Sequence, residues 1–282
     1  MASRSSRRAR PKAASSKREK ESTGSLARFI LTVAILAWLF RSFIAQPFYI
    51  PSGSMLPTLY IGDYLAVAKW PYGYSRFSFP GGIPSTTGRI FEQLPARGDV
   101  VVFRHPSEDS DLIKRVIGIP GDTVAVANGR LILNGKLVPR SKLPPAQVRV
   151  TANSPCRAIP PAVIPISLRP GEAVCMYPAY LETLPGGPSY TVLDQVQHGP
   201  ADDFPPVKIP PGHLFLMGDN RDDSLDSRYP AEVGGVGLVP VDHLIGRATV
   251  TFWSTDGSSS WFKPWTWFTA LRSNRLGNGY TE

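Results

Sequence analysis

The sequence predicts a mainly β protein: a coiled antiparallel β core with an inserted Pro-rich lobe, carried by one N-terminal transmembrane helix. Three observations lead there. Short apolar or alternating runs recur at 64–68, 99–104, 112–117, 123–126, 130–133 and 247–253, most of them bounded by Gly, Pro, Asn or Asp, which is how half-buried strands read. One segment, from Phe29 onward, is long and apolar with Arg41 as its only charge. Sixteen of the 29 prolines fall between Pro139 and Pro211, a density that interrupts both helix and sheet.

Taken in chain order, residues 1–28 form a basic tail. Its nine Lys or Arg against Glu19 and Glu21 give +7 of the total +9, leaving +2 for the other 254 residues. So small an excess over the folded part removes the electrostatic basis for nucleic-acid binding. The tail suits anionic lipid headgroups or an unstructured state.

Residues 29–48 are the expected anchor. At 1.5 Å per residue, a helix of this size matches the ~30 Å hydrocarbon layer, and the basic tail keeps the N-terminus cytoplasmic. A cleavable secretory signal fits the same outline, but with Ala45 at −1 the bulky Phe43 falls at −3, where cleavage wants a small residue. The segment reads as a retained anchor.

Residues 49–138 and 212–256 supply the expected β core. Asn134-Gly135 between two apolar runs predicts a two-residue hairpin turn, because this pair adopts positive φ readily. Residues 139–211 are the expected irregular lobe. Cys156 and Cys175 both fall in it, either as a disulfide in an oxidising compartment or as two buried thiols. Without clustered histidines they make no zinc pattern. Residues 257–282 carry Trp261, Phe262, Trp265, Trp267 and Phe268 around Pro264. This aromatic segment is too short to span and suits either the headgroup layer or the core.

For chemistry, the chain lacks G-x-S-x-G, H-E-x-x-H, G-x-x-x-x-G-K and G-x-G-x-x-G, which removes the commonest hydrolase and nucleotide signatures. Its four histidines are scattered, each beside Pro, Gly or Asp. Spacing alone leaves a Ser-His-Asp triad open, since triads assemble from distant positions. The other base is a lysine. On an extended strand 112–117, Leu112, Lys114 and Val116 share one face and Ile113, Arg115 and Ile117 the other. An ammonium among apolar neighbours is desolvated, and lowering its pKa towards 7 to 8 takes roughly 3 to 5 kcal/mol. A neutral amine can accept a serine proton.

Five ordered blocks then bring in a family. Ser52-Gly53-Ser54-Met55-Leu56-Pro57-Thr58-Leu59, Gly62-Asp63-Tyr64, Arg97-Gly98-Asp99-Val100-Val101-Val102-Phe103, 114–122, and Gly218-Asp219-Asn220-Arg221-Asp222-Asp223-Ser224-Leu225-Asp226-Ser227-Arg228 resemble the boxes of bacterial type I signal peptidases. The match runs from the end of the anchor to about residue 230, with Gly246-Arg247-Ala248 a further shared strand.

The resemblance implies a membrane-bound serine endopeptidase that removes signal peptides from exported preproteins, needing no metal and no cofactor. It implies the bacterial inner membrane, with the catalytic part on the outer, periplasmic face. Carried over, Ser54 is the nucleophile, Lys114 the general base, Ser52 an oxyanion donor and Ser224 the residue orienting Lys114. Phe48, Ile50, Met55, Leu59, Val102 and Ile113 match positions lining shallow pockets for small side chains at −1 and −3. Asp111 and Ile113 flank the edge where substrate adds as a strand. Arg115, Asp219, Arg221, Asp226 and Arg228 form an expected structural ion-pair network. Two features depart from the family: Asp223 stands where many relatives carry Asn, adding a charge next to Ser224, and the Gly-rich block 229–237 is longer.

Overall fold

The computed structural model describes residues 14–82, 87–157, 166–169, 172–260 and 262–280. It opens with a helix, α1 (Ala14–Leu39), that continues through a π-helical turn, Phe40–Ile44. Gly24–Ile44 has a mean hydropathy of 1.8 and is long and apolar enough to cross a bilayer; Phe29, Leu31 and Leu36 lie exposed on it. The helix stops four residues short of the expected boundary at 48. Pro47 has no N–H and disfavours helical backbone at Gln46, so Ala45–Tyr49 becomes a strand instead.

That strand is β1. It is followed by β2 (Asp63–Ala68), β3 (Val100–Arg104), β4 (Asp111–Gly118), β5 (Thr123–Ala127), β6 (Arg130–Leu133), β7 (Lys136–Leu137), β8 (Arg140–Arg149), β9 (Ile166–Arg169), β10 (Glu172–Thr183), β11 (Ser189–Leu193), β12 (Phe204–Lys208), β13 (His213–Met217), β14 (Val239–Pro240) and β15 (Leu244–Ser254). The main sheet runs β1-β2-β15-β3-β4-β13-β14, with every neighbouring pair antiparallel. Each expected strand lies in this sheet or in the smaller β12-β5-β6-β7 sheet. Leu133 pairs with Lys136 across Asn134-Gly135, and both turn residues have positive φ, 53° and 74°, as the hairpin requires.

β3 shows why its sequence is a continuous apolar run. Val100 and Val102 face one core cluster, with Ile50, Met55, Leu59 and Leu65; Val101 and Phe103 face another, with Tyr72, Val116, Leu214 and Leu216. All four are at most 2 % exposed, each contributing about 1.5–3 kcal/mol of burial.

The Pro-rich stretch differs from the irregular lobe expected of it. Its described residues form a four-stranded antiparallel sheet, β11-β10-β8 with β9 on β10, while β12 joins β5 in the smaller sheet. The prolines are accommodated by register: between Tyr177↔Ala146 and Ala179↔Leu143 the ladder shifts, so Pro144 and Pro145 oppose Pro178 in one bulge. There the missing N–H groups interrupt the ladder once instead of three times. Cys156 is disulfide-bonded to Cys175 on β10, with a Cα–Cα distance of 5.5 Å.

Replacing both cysteines by Ala opens a loop of 19 residues and is expected to cost about 2–4 kcal/mol. Urea unfolding in detergent micelles checks this: an unchanged midpoint would mean that the bridge adds nothing.

Candidate active site

Residues 50–63 form a loop that is closed at its base, Ile50 N–H to Asp63 O (2.9 Å) and Gly62 N–H to Ile50 O (2.9 Å). Met55 and Leu59, both 0 % exposed, plug it into the core, which holds Ser54 between them and the β13 end. Asn220 clamps it there: its N–H donates to Ser54 O (3.0 Å) and its Nδ2 to Gly53 O (3.1 Å). Gly218 makes this approach possible. A Cβ at that position would lie 2.3 Å from Ser224 Oγ and 2.6 Å from Ser54 O, closer than any side chain tolerates.

Against Ser54 stands Lys114 of β4. Its Nζ donates to Ser54 Oγ at 2.9 Å and to Ile113 O at 3.2 Å, and the residue is 3 % exposed. Desolvation by burial pulls its pKa down from 10.5 to about 8, against the upward pull of Asp226, Asp219 and Asp223 and with help from Arg228. Ser52 Oγ lies 3.4 Å from Ser54 Oγ, on the exposed side of the loop.

The surrounding charges are paired. Arg115 grips Asp219 through Nε (2.8 Å) and Nη2 (2.7 Å), and Arg228 grips Asp226 through Nε (2.9 Å) and Nη2 (2.9 Å). Arg221 pairs not within this set but with Glu182 of β10, whose carboxylate also accepts Tyr190 Oη (3.1 Å). Arg115 in turn lies over the Tyr190 ring at 4.2 Å. The inserted sheet therefore braces the back of the Ser54–Lys114 pair.

No histidine hydrogen-bonds Ser54 among the described residues. His105 lines the same cavity, of about 350 Å³. Its Nδ1 accepts the N–H groups of Ser107 (3.1 Å) and Glu108 (3.0 Å), so its Nε2 carries the proton and donates to Gly235 O (3.0 Å). Both nitrogens are committed to backbone.

This geometry, a serine hydroxyl against a desolvated lysine, occurs within a chain whose residues 23–253 match the family model described as Signal peptidase, peptidase S26. The chain belongs to that family. It is 32 % identical over 288 residues to signal peptidase I of Rickettsia rickettsii (strain Sheila Smith), covering 94 % of both chains. With signal peptidase I of Rickettsia akari (strain Hartford) the identity is 33 % over 235 residues, covering 79 % of this chain and 77 % of that one. A crystal structure of a signal peptidase I from Enterococcus faecalis V583 aligns with 56 % of this chain and 98 % of its own at 21 % identity and a TM-score of 0.29. The protein is thus a membrane-anchored peptidase of the signal peptidase family.

Within this signal peptidase, the other expected residues fall in two places. Ile50, Met55, Leu59, Val102 and Ile113 share one buried cluster with Phe48 on its rim, and none of them lines the cavity that holds Ser54, Lys114, Ser52 and Ser224. Strand alternation explains it: Ile113 points away from Lys114, and Leu112 takes the cavity side. Asp111 opens β4 and pairs with Arg104 at 2.8 Å. Ser224 departs from expectation more directly. Its Oγ is buried with no hydrogen-bond partner, so the bond to Lys114 is not formed here.

Sequence reasoning assigned no role to Asn220, Gly218, Glu182, Tyr190 or Arg275. Arg275, from the C-terminal segment, donates to Thr58 O (2.9 Å) and to Asp63 Oδ2 (2.5 Å), tying the Ser54 loop from behind. Asn220 and Gly218 stand inside a quoted block, so their position was visible. Nothing in the spacing points to the other three.

Because the native pKa of Lys114 lies below its unfolded value, its protonation opposes folding below about pH 8, and the contribution to stability rises as pH climbs from about 8 to 10.5. Lys114→Met is therefore expected to melt at or above the parent temperature at pH 7, relieving about 3 kcal/mol. A lower melting temperature would mean that the ammonium is a structural requirement.

Proposed function

We propose that this signal peptidase cleaves N-terminal signal peptides from exported preproteins after small residues at −3 and −1, with Ser54 as nucleophile and Lys114 as general base. The observation that carries this reading is the 2.9 Å contact between Ser54 Oγ and the buried Lys114 Nζ. The neutral amine takes the hydroxyl proton as Ser54 Oγ attacks the scissile carbonyl carbon. The Ser54 N–H and Ser52 hydroxyl meet the developing oxyanion, an arrangement in which losing one donor costs about 2.7–4 kcal/mol. The Lys114 ammonium then returns its proton to the departing amine, leaving the acyl group on Ser54. A water then gives a proton to Lys114 as it attacks this ester, and the ammonium passes that proton to Ser54 Oγ as the C–O bond breaks and the carboxylic acid leaves. Once Lys114 is an ammonium it has three protons to place, and the unpartnered Ser224 hydroxyl is the acceptor available beside Ile113 O and Ser54.

Binding is supported by a free edge. β13 pairs with β4 only at Arg115, Val116 and Gly118, while β3 pairs with β4 along 111–115. One edge of 111–114 is therefore left for an added substrate strand. Behind that edge, the cluster of Ile50, Met55, Leu59, Val102 and Ile113 is at most 8 % exposed. A wall so filled offers no depth to a side chain pressed against it and rejects a large one by overlap.

The basic tail supports a reading with the N-terminus in the cytoplasm and the folded part on the outer face of the bacterial inner membrane. Phe262, Trp265 and Phe268 are 95 %, 65 % and 77 % exposed, which favours headgroup contact over core packing; Trp261 lies outside the described residues. Tyr49, Tyr64 and Phe252 meet in turn as tilted ring pairs at 5.1 and 6.3 Å and extend an aromatic surface next to the helix exit.

Incubated with a preprotein carrying an Ala-x-Ala site, the parent is expected to cut after the second Ala. Ser54→Ala and Lys114→Met should each abolish cutting while staying folded, and normal activity in either ends the dyad reading. In bilayers of bromine-labelled lipid, the Trp265→Ser/Trp267→Ser variant should lose part of the tryptophan quenching seen in the parent. Equal quenching would place that segment away from the headgroups.

A further inference from the structure

Three carboxylates act on Lys114: Asp226, Asp219 and Asp223. Two have arginine partners inside the blocks that carry the family resemblance, Arg228 and Arg115. The third, Asp223, has one outside them: Arg157 Nη2 donates to Asp223 Oδ1 at 2.6 Å. Both residues line the cavity of Ser54 and Lys114, along with Asp222, Glu108 and His105.

The pair is a built feature. Asp223 Oδ2 is buried with no hydrogen bond and lies 3.4 Å from where a Cβ on Gly53 would stand, so its charge sits next to the Ser54 loop with one compensating group. Arg157 is fixed from its own side: the preceding residue, Cys156, is bridged to Cys175, and the Arg157 N–H donates to Tyr177 Oη at 3.2 Å. Cys175 and Tyr177 stand two apart on β10, each 1 % exposed. The inserted sheet thereby delivers a guanidinium to the mouth of the site.

We propose that Arg157 is a positioning residue of the dyad: held against β10 by the Cys156–Cys175 bridge, it neutralises Asp223, so that a larger share of the amine facing Ser54 is uncharged at any given pH. This rests on the Ser54/Lys114 reading. At position 223 the negative charge is thus matched by a guanidinium from the inserted lobe. Partial exposure of the two side chains, 48 % for Arg157 and 18 % for Asp223, limits the effect through solvent screening.

The test is kcat/KM against pH for the full chain in detergent micelles, which reports the free enzyme's essential base. In Arg157→Gln the alkaline-rising limb should move up by about half a pH unit, a roughly threefold loss at pH 7 with the high-pH plateau retained. Arg157→Lys should track the parent, and Asp223→Asn added to Arg157→Gln should bring the limb back. A thiol reductant should shift the limb upward in the parent and not in Asp223→Asn. The proposal is overturned by a limb that stays put in Arg157→Gln, by a lowered plateau without a shift, or by failure of Asp223→Asn to restore it. If Ser54→Ala and Lys114→Met are inactive while Arg157→Gln leaves the limb in place, the dyad stands and only the role of Arg157 falls.

Discussion

Everything at this site follows from keeping one amine dry. Moving a charged ammonium out of water is costly, and at 3 % exposure the cost is large enough to favour the neutral form near pH 8. Carboxylates undo this, since each within reach favours the proton. The fold still places several there, because Asp219 and Asp226 hold backbone and side chains in register: Asp226 accepts the Gly218 N–H and Asp219 the Thr58 hydroxyl. Giving each carboxylate a bidentate guanidinium retains the scaffold and cancels most of the field. Buried pairs of this kind are poor sources of net stability; here they let rigid acidic supports stand beside a desolvated amine.

The second sheet belongs to the same design. It sends Glu182 to Arg221, Tyr190 under Arg115, and a main-chain bridge from Leu193 to Asn220, the residue that clamps the Ser54 loop. Leu56 of that loop packs with Val148, Cys175, Tyr177 and Leu193 of the inserted sheet. Loop, charge ring and lobe are one packed unit around the dyad.

How much of this was legible depends on the range of each interaction. The strands at 64–68, 99–104 and 112–117 were visible because burial on one or both faces leaves a period of two or a solid apolar run, as in Val100-Val101-Val102-Phe103. Lys114 and its side of the strand were readable from the same alternation. The β10 strand was hidden by a proline count that ignores where prolines sit; Val174-Cys175-Met176-Tyr177 reads as strand once Pro178 is placed at a bulge. Partners such as Glu182, Arg275 and Arg157 were out of reach, since a charge pair separated by 39 or 212 residues leaves no local trace. The end of the anchor was misplaced because apolar content continues past Pro47 although helix cannot.

That misplaced boundary has a mechanical meaning. Helix gives way to strand at Ala45 with no linker between them, and β1 is hydrogen-bonded along its whole length to β2. Five residues of strand amount to about 17 Å, so the path from the end of the helix towards the Ser54 loop begins as a stiff strut. Held this way, the folded part has no slack to swing on the helix, and its place relative to the helix end is fixed by main-chain hydrogen bonds.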